Sequence, residues 1–400
     1  LMKSKPANNI QDLQFFGEFG GVNPSISDSS TYTFLSANSM SETFEGNMEG
    51  CYLYSRNSSP SNLYLEEACA ALEGTEAANV FSSGMGAITA TILQLCKSED
   101  HIISSRTVYG GTYAFLKNFT PQLKIETTFV DITSLDDINN SIKPNTKIIY
   151  CEVSSNPLLE IADLEEISKI AKKNNIKLVV DNTFTPLSVS PAKYGADVVI
   201  HSLTKFINGT SDTIAGVVCS SKEFIHSLRD VNDGAFMLMG TTMDSLRAAS
   251  VLKNMRTLHI RMKKHSENAM YLAESFEKDG IKAVYPGLKS HPSHKIFSKM
   301  MNKEYGYGGM VTIDVGSLET ANKLMEKMQD KNLGYLAVSL GFHKTLFCEP
   351  GSSTSSEISE EEQEKMGLSE GLIRFSVGLD QDISRTYEGI KKCLKEFNLI

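Results

Sequence analysis

Apolar and polar residues follow two alternating patterns between residues 77 and 220. Short runs rich in Val and Ile are typical of buried strands, whereas the stretches between them carry apolar residues at the spacing of amphipathic helices. Such alternation predicts a doubly wound α/β fold with a parallel sheet. After a first short strand near 77–81, the predicted strands are His101–Ser105, Ile125–Ile132, Lys147–Val153, the runs that begin at Lys177 and Val198, and Thr213–Ser220.

The pattern changes on both sides of this region. The first 53 residues show little periodicity but contain several aromatic residues, which predicts an arm that packs on another surface. After about residue 235, two long helices (Met243–Arg256 and Ile260–Asp279) precede a mixture of strands and helices typical of an α+β domain. Strands are predicted there at Met310–Asp314, Leu336–Ser339 and Leu372–Ser376, and a surface loop or lid at Gly351–Glu362. We therefore predict an arm (1–53), an α/β domain (54–250) and a C-terminal α+β domain (251–400).

Composition narrows the classes of function. The formal net charge of −9 argues against nucleic acid as a partner, because phosphate binding requires clustered Lys and Arg. Seven scattered cysteines without a C-x-x-C pair indicate neither a zinc site nor a disulfide framework, and they are typical of a reducing compartment. No apolar run approaches the ~20 residues of a membrane helix, and no signal peptide is visible. These features predict a cytoplasmic protein that binds no metal.

Two neighbouring strands of the predicted sheet end in chemically useful residues. The run from Lys177 ends in Asp181, and the run from Val198 leads into Ser202, Thr204 and Lys205. The carboxyl ends of parallel strands line the ligand crevice of such a sheet. A lysine that forms a Schiff base and an aspartate that pairs with a pyridinium nitrogen are the groups that pyridoxal phosphate (PLP) requires. For either residue alone, a surface lysine or a turn-capping aspartate is the simpler interpretation.

A possible anion site follows the first strand. Residues 77–87 predict a strand, a turn of small residues around Gly84 and the start of a helix, where backbone N–H groups can bind phosphate. The turn lacks the spacing of both the G-x-G-x-x-G and the P-loop motifs, so a nucleotide is not favoured.

Together these motifs resemble the Cys/Met-metabolism PLP-dependent enzymes, the γ-family of fold-type I, from about Tyr54 to the C-terminus. The family includes cystathionine γ-synthase, cystathionine γ- and β-lyases, methionine γ-lyase and O-acetylhomoserine sulfhydrylase. The resemblance implies a mainly parallel seven-stranded sheet flanked by helices, PLP as cofactor, and a homotetramer built as a dimer of dimers.

The resemblance also implies roles for residues around the cofactor. Lys205 would hold PLP and later transfer protons, and Asp181 would keep the pyridine nitrogen protonated. Tyr109 would stack on the ring and serve as an acid or base toward the leaving group. The phosphate would be bound by Gly84, Met85, Ser202 and Thr204 of one subunit and by Tyr54 and Arg56 of its neighbour.

A second set of residues would bind an amino-acid substrate. Arg374 would pair with the substrate carboxylate, since a guanidinium matches a carboxylate with two parallel hydrogen bonds. Asn156 would contact both that carboxylate and the ring oxygen. Ser339 and Thr354 would add hydrogen bonds nearby.

The expected reaction is γ-elimination from methionine, cystathionine or homocysteine to give 2-oxobutanoate, ammonia and a thiol. Similarity in 337–341 and 369–374 favours a lyase, whereas Gly111 stands where methionine γ-lyases usually have cysteine. Residues 206–212 and 232–244 also depart from the family pattern. A distal amino group would need an acidic partner in the arm, for which Glu42, Glu45 and Glu49 are candidates.

Four alternatives remain at this level. Within the family, the chain could catalyse γ-replacement, as cystathionine γ-synthase or O-acetylhomoserine sulfhydrylase does, or act as a cystathionine β-lyase. Outside it, the chain could be an aminotransferase of the same fold type. It could also be a PLP-binding regulator that has lost turnover, although intact Lys205, Asp181 and Tyr109 argue against that.

Overall fold

A seven-stranded sheet forms the centre of the larger part of the fold in the computed structural model, which describes residues 6–45, 48 and 50–400. Its spatial order is β1-β7-β6-β5-β4-β2-β3, and only β7 runs antiparallel to its neighbours. The predicted mainly parallel sheet is confirmed. The strands are Ala77–Phe81 (β1), His101–Ser105 (β2), Glu126–Val130 (β3), Thr146–Glu152 (β4), Lys177–Asp181 (β5), Val198–Ser202 (β6) and Gly216–Ser220 (β7).

A second, five-stranded sheet follows in the C-terminal part, with the order β10-β11-β12-β9-β8. Its central strand β12 is antiparallel to β9 and β11. The strands are Ala283–Val284 (β8), Met310–Asp314 (β9), Tyr335–Leu336 (β10), Leu346–Cys348 (β11) and Leu372–Ser376 (β12).

Helices cover both sheets. The α-helices of the described residues are Pro6–Asp12 (α1), Ala37–Phe44 (α2), Pro60–Glu73 (α3), Gly84–Leu95 (α4), Gly110–Ala114 (α5), Leu135–Asn140 (α6), Leu164–Lys173 (α7), Lys222–Leu228 (α8), Ala235–Met239 (α9), Ser245–Met255 (α10), Leu258–Lys278 (α11), His294–Met300 (α12), Leu318–Asp330 (α13), Glu360–Met366 (α14) and Ile383–Glu396 (α15). A π-helical turn, Phe115–Phe119, extends α5.

The ends of these helices follow from local sequence. In α3, the side chain of Ser59 accepts the N–H of Asn62, and Pro60 occupies the first turn, where its missing N–H does no harm. Gly74 then ends the helix with a left-handed φ of 71°. None of the described helices is both long and apolar enough to span a membrane.

The central strands are apolar on both faces because helices cover both. Val179 of β5 packs with Ile88 of α4 on one face, whereas Leu178 and Val180 pack with Ile167 of α7 on the other. A strand that is buried on both faces has a continuous apolar sequence, and this is why the sequence predicted these strands. The polar residues that end the runs lie at the carboxyl edge of the sheet.

Two predictions about the connecting segments need correction, and the description of the arm gains two helices. The strand predicted at Leu336–Ser339 is Tyr335–Leu336 in the structure, so only Leu336 is common to both, and the two side chains of this edge strand are exposed. The 351–362 segment is not all loop, since α14 begins at Glu360. The arm contains α1 and α2, and its Phe15 packs against Tyr64 with ring centroids 4.8 Å apart, so the prediction that the arm packs on another surface is confirmed there.

Candidate active site

A cavity of about 280 Å³ opens at the carboxyl ends of β4, β5 and β6. It contains ten of the predicted site residues, and Ser339 lies beside it. Tyr54 and Arg56 do not line it. The lining residues are Ser83, Gly84, Met85, Ile88, Tyr109, Glu152, Ser154, Asn156, Asp181, Thr183, Phe184, Ser202, Thr204, Lys205, Ile214, Val338, Leu340, Thr354 and Arg374.

Lys205 lies in the turn after β6, with its amine inside the cavity. Its Nζ donates a hydrogen bond of 3.2 Å to Ser339 Oγ. Burial and, secondarily, the positive charge of Arg374 lower the pKa of the amine to about 8. A larger fraction of this amine is therefore neutral at physiological pH than of an exposed lysine, which is the condition for nucleophilic attack on a carbonyl group.

The loop that carries Ser339 is held against Lys205 by a glycine. Gly341 has a φ of 82°, and a Cβ atom there would lie 2.5 Å from the backbone nitrogen of Phe206. Its own N–H donates to Ser376 Oγ of β12. The C-terminal sheet thereby supplies one wall of the cavity.

Asp181 ends β5 with its carboxylate in the cavity. Oδ1 accepts the N–H of Thr183 at 2.9 Å. Burial raises the pKa of the carboxyl, and the hydrogen bonds from Thr183 oppose that shift. Among the described residues, no Lys or Arg forms an ion pair with Asp181. A protonated ring nitrogen placed against it would supply the absent positive charge.

Arg374 approaches from β12 and is only 2% exposed. Its Nη1 donates a 2.6 Å hydrogen bond to Asn156 Oδ1. No carboxylate in the described part of the chain forms an ion pair with it. A buried guanidinium with unused donors that face a cavity is suited to binding a ligand carboxylate.

Glu152 is a site residue that the sequence analysis missed. Its two oxygens accept the N–H groups of Tyr109 and Asn156, each at 2.7 Å. Burial raises the pKa of this carboxyl well above its usual range, and the nearby charge of Asp181 adds to the effect. Glu152 ends β4, so the strand-end argument that found Asp181 could also have found it.

The start of α4 forms a cradle next to Ser202. Ser83 caps this 12-residue helix by accepting the N–H of Gly86 at 2.9 Å. A Cβ atom on Gly84 would lie 2.8 Å from Cβ of Ser202, so only glycine allows this close approach. The first N–H groups of a helix have no partner within it, and those at Gly84 and Met85 can bind an anion.

Thr204 fits the cradle less well than predicted. Its hydroxyl accepts the N–H of Ala215 at 3.0 Å and donates to the carbonyl of the same residue at 3.2 Å. The hydroxyl is thus already occupied, and Thr204 fixes the turn that leads to Lys205.

Tyr109 stands at the mouth of the cavity and is 42% exposed. Partial burial of the side chain and the nearby carboxylate of Glu357 raise its pKa, so the phenol is protonated near neutral pH. In this state it can donate a proton.

Tyr54 and Arg56 lie outside the cavity of their own chain. Arg56 Nη1 donates to the carbonyl of Met237 at 2.9 Å, and its guanidinium carbon is 5.8 Å from the centre of the Tyr54 ring. Tyr54 is 47% exposed. Of the acidic residues considered in the arm, Glu42 is exposed and does not line the cavity, whereas Glu49 lies outside the described residues.

Comparisons with known proteins agree with this geometry. Residues 8–393 match the family model of the Cys/Met metabolism PLP-dependent enzymes. The chain is 45% identical to methionine gamma-lyase of Arabidopsis thaliana over 380 residues, which is 93% of this chain and 86% of that protein. It is 39% identical to L-methionine gamma-lyase of Fusobacterium nucleatum subsp. polymorphum over 382 residues, 94% of each protein.

A solved structure of a PLP-carrying protein has the same fold. A putative O-acetylhomoserine (thiol)-lyase from Campylobacter jejuni, which carries N'-pyridoxyl-lysine-5'-monophosphate, superposes with a TM-score of 0.90 at 29% identity. The match covers 98% of this chain and 100% of that one.

Proposed function

Because the chain belongs to the family of Cys/Met metabolism PLP-dependent enzymes, we propose that it is a carbon–sulfur lyase that acts on methionine. The reaction takes up water and releases 2-oxobutanoate, ammonia and methanethiol. Cystathionine and homocysteine carry their sulfur on the same γ-carbon and are the competing candidates. The observation that carries the choice of methionine is the cavity lining.

Among the described residues, that lining offers apolar surface and no carboxylate beyond the two that already have a role. Ile214, Val338 and Leu340 contribute apolar side chains. The acidic residues among the described lining residues are Glu152 and Asp181; the first accepts two backbone N–H groups, and the second is the proposed partner of the ring nitrogen. A methyl thioether suits such a surface, whereas the distal ammonium of cystathionine would be left without a counter-charge.

The cavity residues fit PLP at three points. Lys205 would supply the amine for its aldehyde group, and Asp181 would supply the carboxylate for its ring nitrogen. Gly84 and Met85, with Ser202, supply the anion cradle for its phosphate, to which Thr204 contributes by fixing the turn. When bound, PLP acts as an electron sink that acidifies the Cα–H and Cβ–H bonds of an attached amino acid.

The remaining residues bind the substrate and move protons. Arg374 and Asn156 hold the substrate carboxylate, with Thr354 at the cavity wall. The amine of Lys205, oriented by Ser339, accepts the Cα proton, and a pKa of about 8 suits a general base near neutral pH. Tyr109, at the mouth of the cavity, would face the ring and would donate a proton to the departing sulfur.

The main alternative is γ-replacement, in which an external thiol adds to the substrate after the leaving group departs. The likeness to the Campylobacter jejuni chain favours this candidate. Elimination and replacement use the same residues, so the product decides between them.

We further propose a cytoplasmic homotetramer, a dimer of dimers in which Tyr54 and Arg56 reach the phosphate of the neighbouring subunit. Their position outside the cavity of their own chain supports this arrangement. All seven cysteines are free, which is typical of a reducing compartment.

Absorbance and product analysis test the proposal together. Protein reconstituted with PLP should absorb near ~420 nm, change its spectrum on addition of L-methionine and release 2-oxobutanoate. A Lys205→Ala variant should lose all three properties. 2-Oxobutanoate that forms only when thiol is omitted from an O-acetylhomoserine reaction would favour replacement, and a protein that never binds PLP would refute the proposal.

A further inference from the structure

A buried polar cluster lies behind the candidate site, on the opposite face of the seven-stranded sheet. Oε1 of Glu73, the last residue of α3, accepts a 2.6 Å hydrogen bond from His201 Nε2 and a 3.0 Å bond from Asn182 Nδ2. The side chains of Glu73 and His201 are each 1% exposed. Neither side chain lines the cavity.

Each partner of Glu73 is the sequence neighbour of a cavity residue. Asn182 follows Asp181, and His201 precedes Ser202. Because successive side chains of a strand point to opposite faces, Asp181 and Ser202 face the cavity while Asn182 and His201 face α3. A single carboxylate oxygen therefore holds the ends of β5 and β6 together from behind.

The same two strand ends are joined by two further hydrogen bonds, one to a cavity-lining side chain and one between main-chain groups. The N–H of Ser202 donates to Thr183 Oγ1 at 2.8 Å, and the N–H of Asn182 donates to the carbonyl of Ile200 at 2.8 Å. Asn182 is fixed further by the hydroxyl of Thr185, which donates to its Oδ1 at 2.6 Å. The two hydrogen bonds to Glu73 additionally connect both strand ends to α3.

The position of Glu73 is locally unfavourable. A negative charge at a helix C-terminus faces the negative end of the helix dipole. The carboxylate is also buried, and both Glu73 Oε2 and His201 Nδ1 lack a hydrogen-bond partner among the described residues. Where a sequence departs from local preferences in this way, a functional constraint is the usual reason.

We infer that Glu73 is a positioning residue that holds Asp181 and Ser202 at the separation the cofactor requires. This inference rests on the proposed role of those two residues in binding PLP. Glu73 does not line the cavity, and it acts through His201 and Asn182.

The same helix provides a matched control. Glu66 lies seven positions earlier, on the same face of α3, and is also buried. Its Oε1 accepts the N–H of Val80 at 3.2 Å and a hydrogen bond from Arg229, and neither of these partners lies in β5 or β6. Loss of Glu66 removes a buried carboxylate without touching the two strand ends.

The test compares Glu73→Leu, Glu73→Gln, Asn182→Ala and Glu66→Leu in two measurements. Hydrogen exchange of the apoenzyme should rise in peptides covering 178–186 and 198–206 for Glu73→Leu and Asn182→Ala, but not for Glu66→Leu. The dissociation constant for PLP should increase about tenfold for Glu73→Leu, because both strand ends lose a buried acceptor. Glu73→Gln keeps an acceptor oxygen and should stay within about threefold of wild type.

Two results would overturn the inference: wild-type PLP affinity in Glu73→Leu, or an equal loss in Glu66→Leu. If Glu73→Leu does not fold, unchanged exchange and PLP affinity in Asn182→Ala would overturn it as well. Exchange in the apoenzyme requires no lyase activity, so failure of this inference is distinguishable from failure of the proposed reaction.

Discussion

Arg374 and Asn156 meet across the boundary between the two sheets. Arg374 lies in the central strand of the C-terminal sheet, whereas Asn156 lies in the loop after β4, and the guanidinium donates to the amide oxygen at 2.6 Å. Asn156 is held in turn by Glu152, which also holds Tyr109. The proposed carboxylate site and the proposed proton donor are thus connected through one buried glutamate.

Substitution of Arg374 should impair substrate binding more than it impairs turnover. Arg374→Lys keeps the charge but not the planar pair of donors, so we expect KM for methionine to rise about 100-fold with a smaller change in kcat. Steady-state kinetics of the holoenzyme would measure this. Arg385→Lys, an exposed change on α15, serves as the control and should leave KM unchanged. Equal KM values for wild type and Arg374→Lys would exclude the carboxylate role.

Lys205 should react with electrophiles at lower pH than exposed lysines do. Its pKa of about 8 lies below the ordinary value of a lysine, so the neutral amine becomes the major form as pH rises through 8. Acylation of the apoenzyme followed by mass spectrometry should give a labelling midpoint near that value. Because Arg374 contributes to the shift, Arg374→Leu should move the midpoint upward. A Lys205 midpoint matching that of exposed lysines would contradict the buried position.

Glu152→Gln should disturb both loops that the carboxylate holds. An amide offers one oxygen, and its NH₂ group would face an N–H donor from Tyr109 or Asn156. Leaving a buried N–H unpaired costs about 1–3 kcal/mol, which denaturant unfolding would detect. We expect kcat/KM to fall about tenfold or more, because Tyr109 and Asn156 both shift. Wild-type stability and kinetics together would show that these hydrogen bonds do not position the site.

The sequence predicted the parts of the site that obey local rules. Asp181 and Lys205 follow buried apolar runs, and Met310–Asp314 and Leu372–Ser376 have the predicted bounds because both strands are buried. The resemblance supplied Arg374 and Ser339, whose partners lie far away in the chain.

Other features of the structure depend on tertiary packing or on short elements, which local sequence patterns do not predict. His201 and Glu73 are separated by 128 positions, and their contact follows from the packing of α3 on the sheet, chiefly against β1 and β7. The short strand β11 and helix α12 escaped prediction because three to seven residues carry too little periodicity. The bounds of the arm and of the two domains remain predictions.

The 351–366 segment should act as a wall of the cavity, and the hydrogen bonds of Glu362 should hold this segment in place, as a latch. Tyr113 Oη donates to this carboxylate at 2.6 Å and Lys117 Nζ at 3.0 Å, and these bonds lower its pKa to about 2. The latch is therefore complete above about pH 4.5, the ordinary range of a glutamate, and weakens only as pH falls toward 2.

Because Thr354 of this segment lines the cavity, Glu362→Gln should raise KM for methionine several-fold and speed hydrogen exchange across 351–366 at neutral pH. Glu361→Gln breaks an exposed ion pair with Lys365 on the same helix and should change neither quantity. Equal effects of the two variants would show that the segment is held by other contacts.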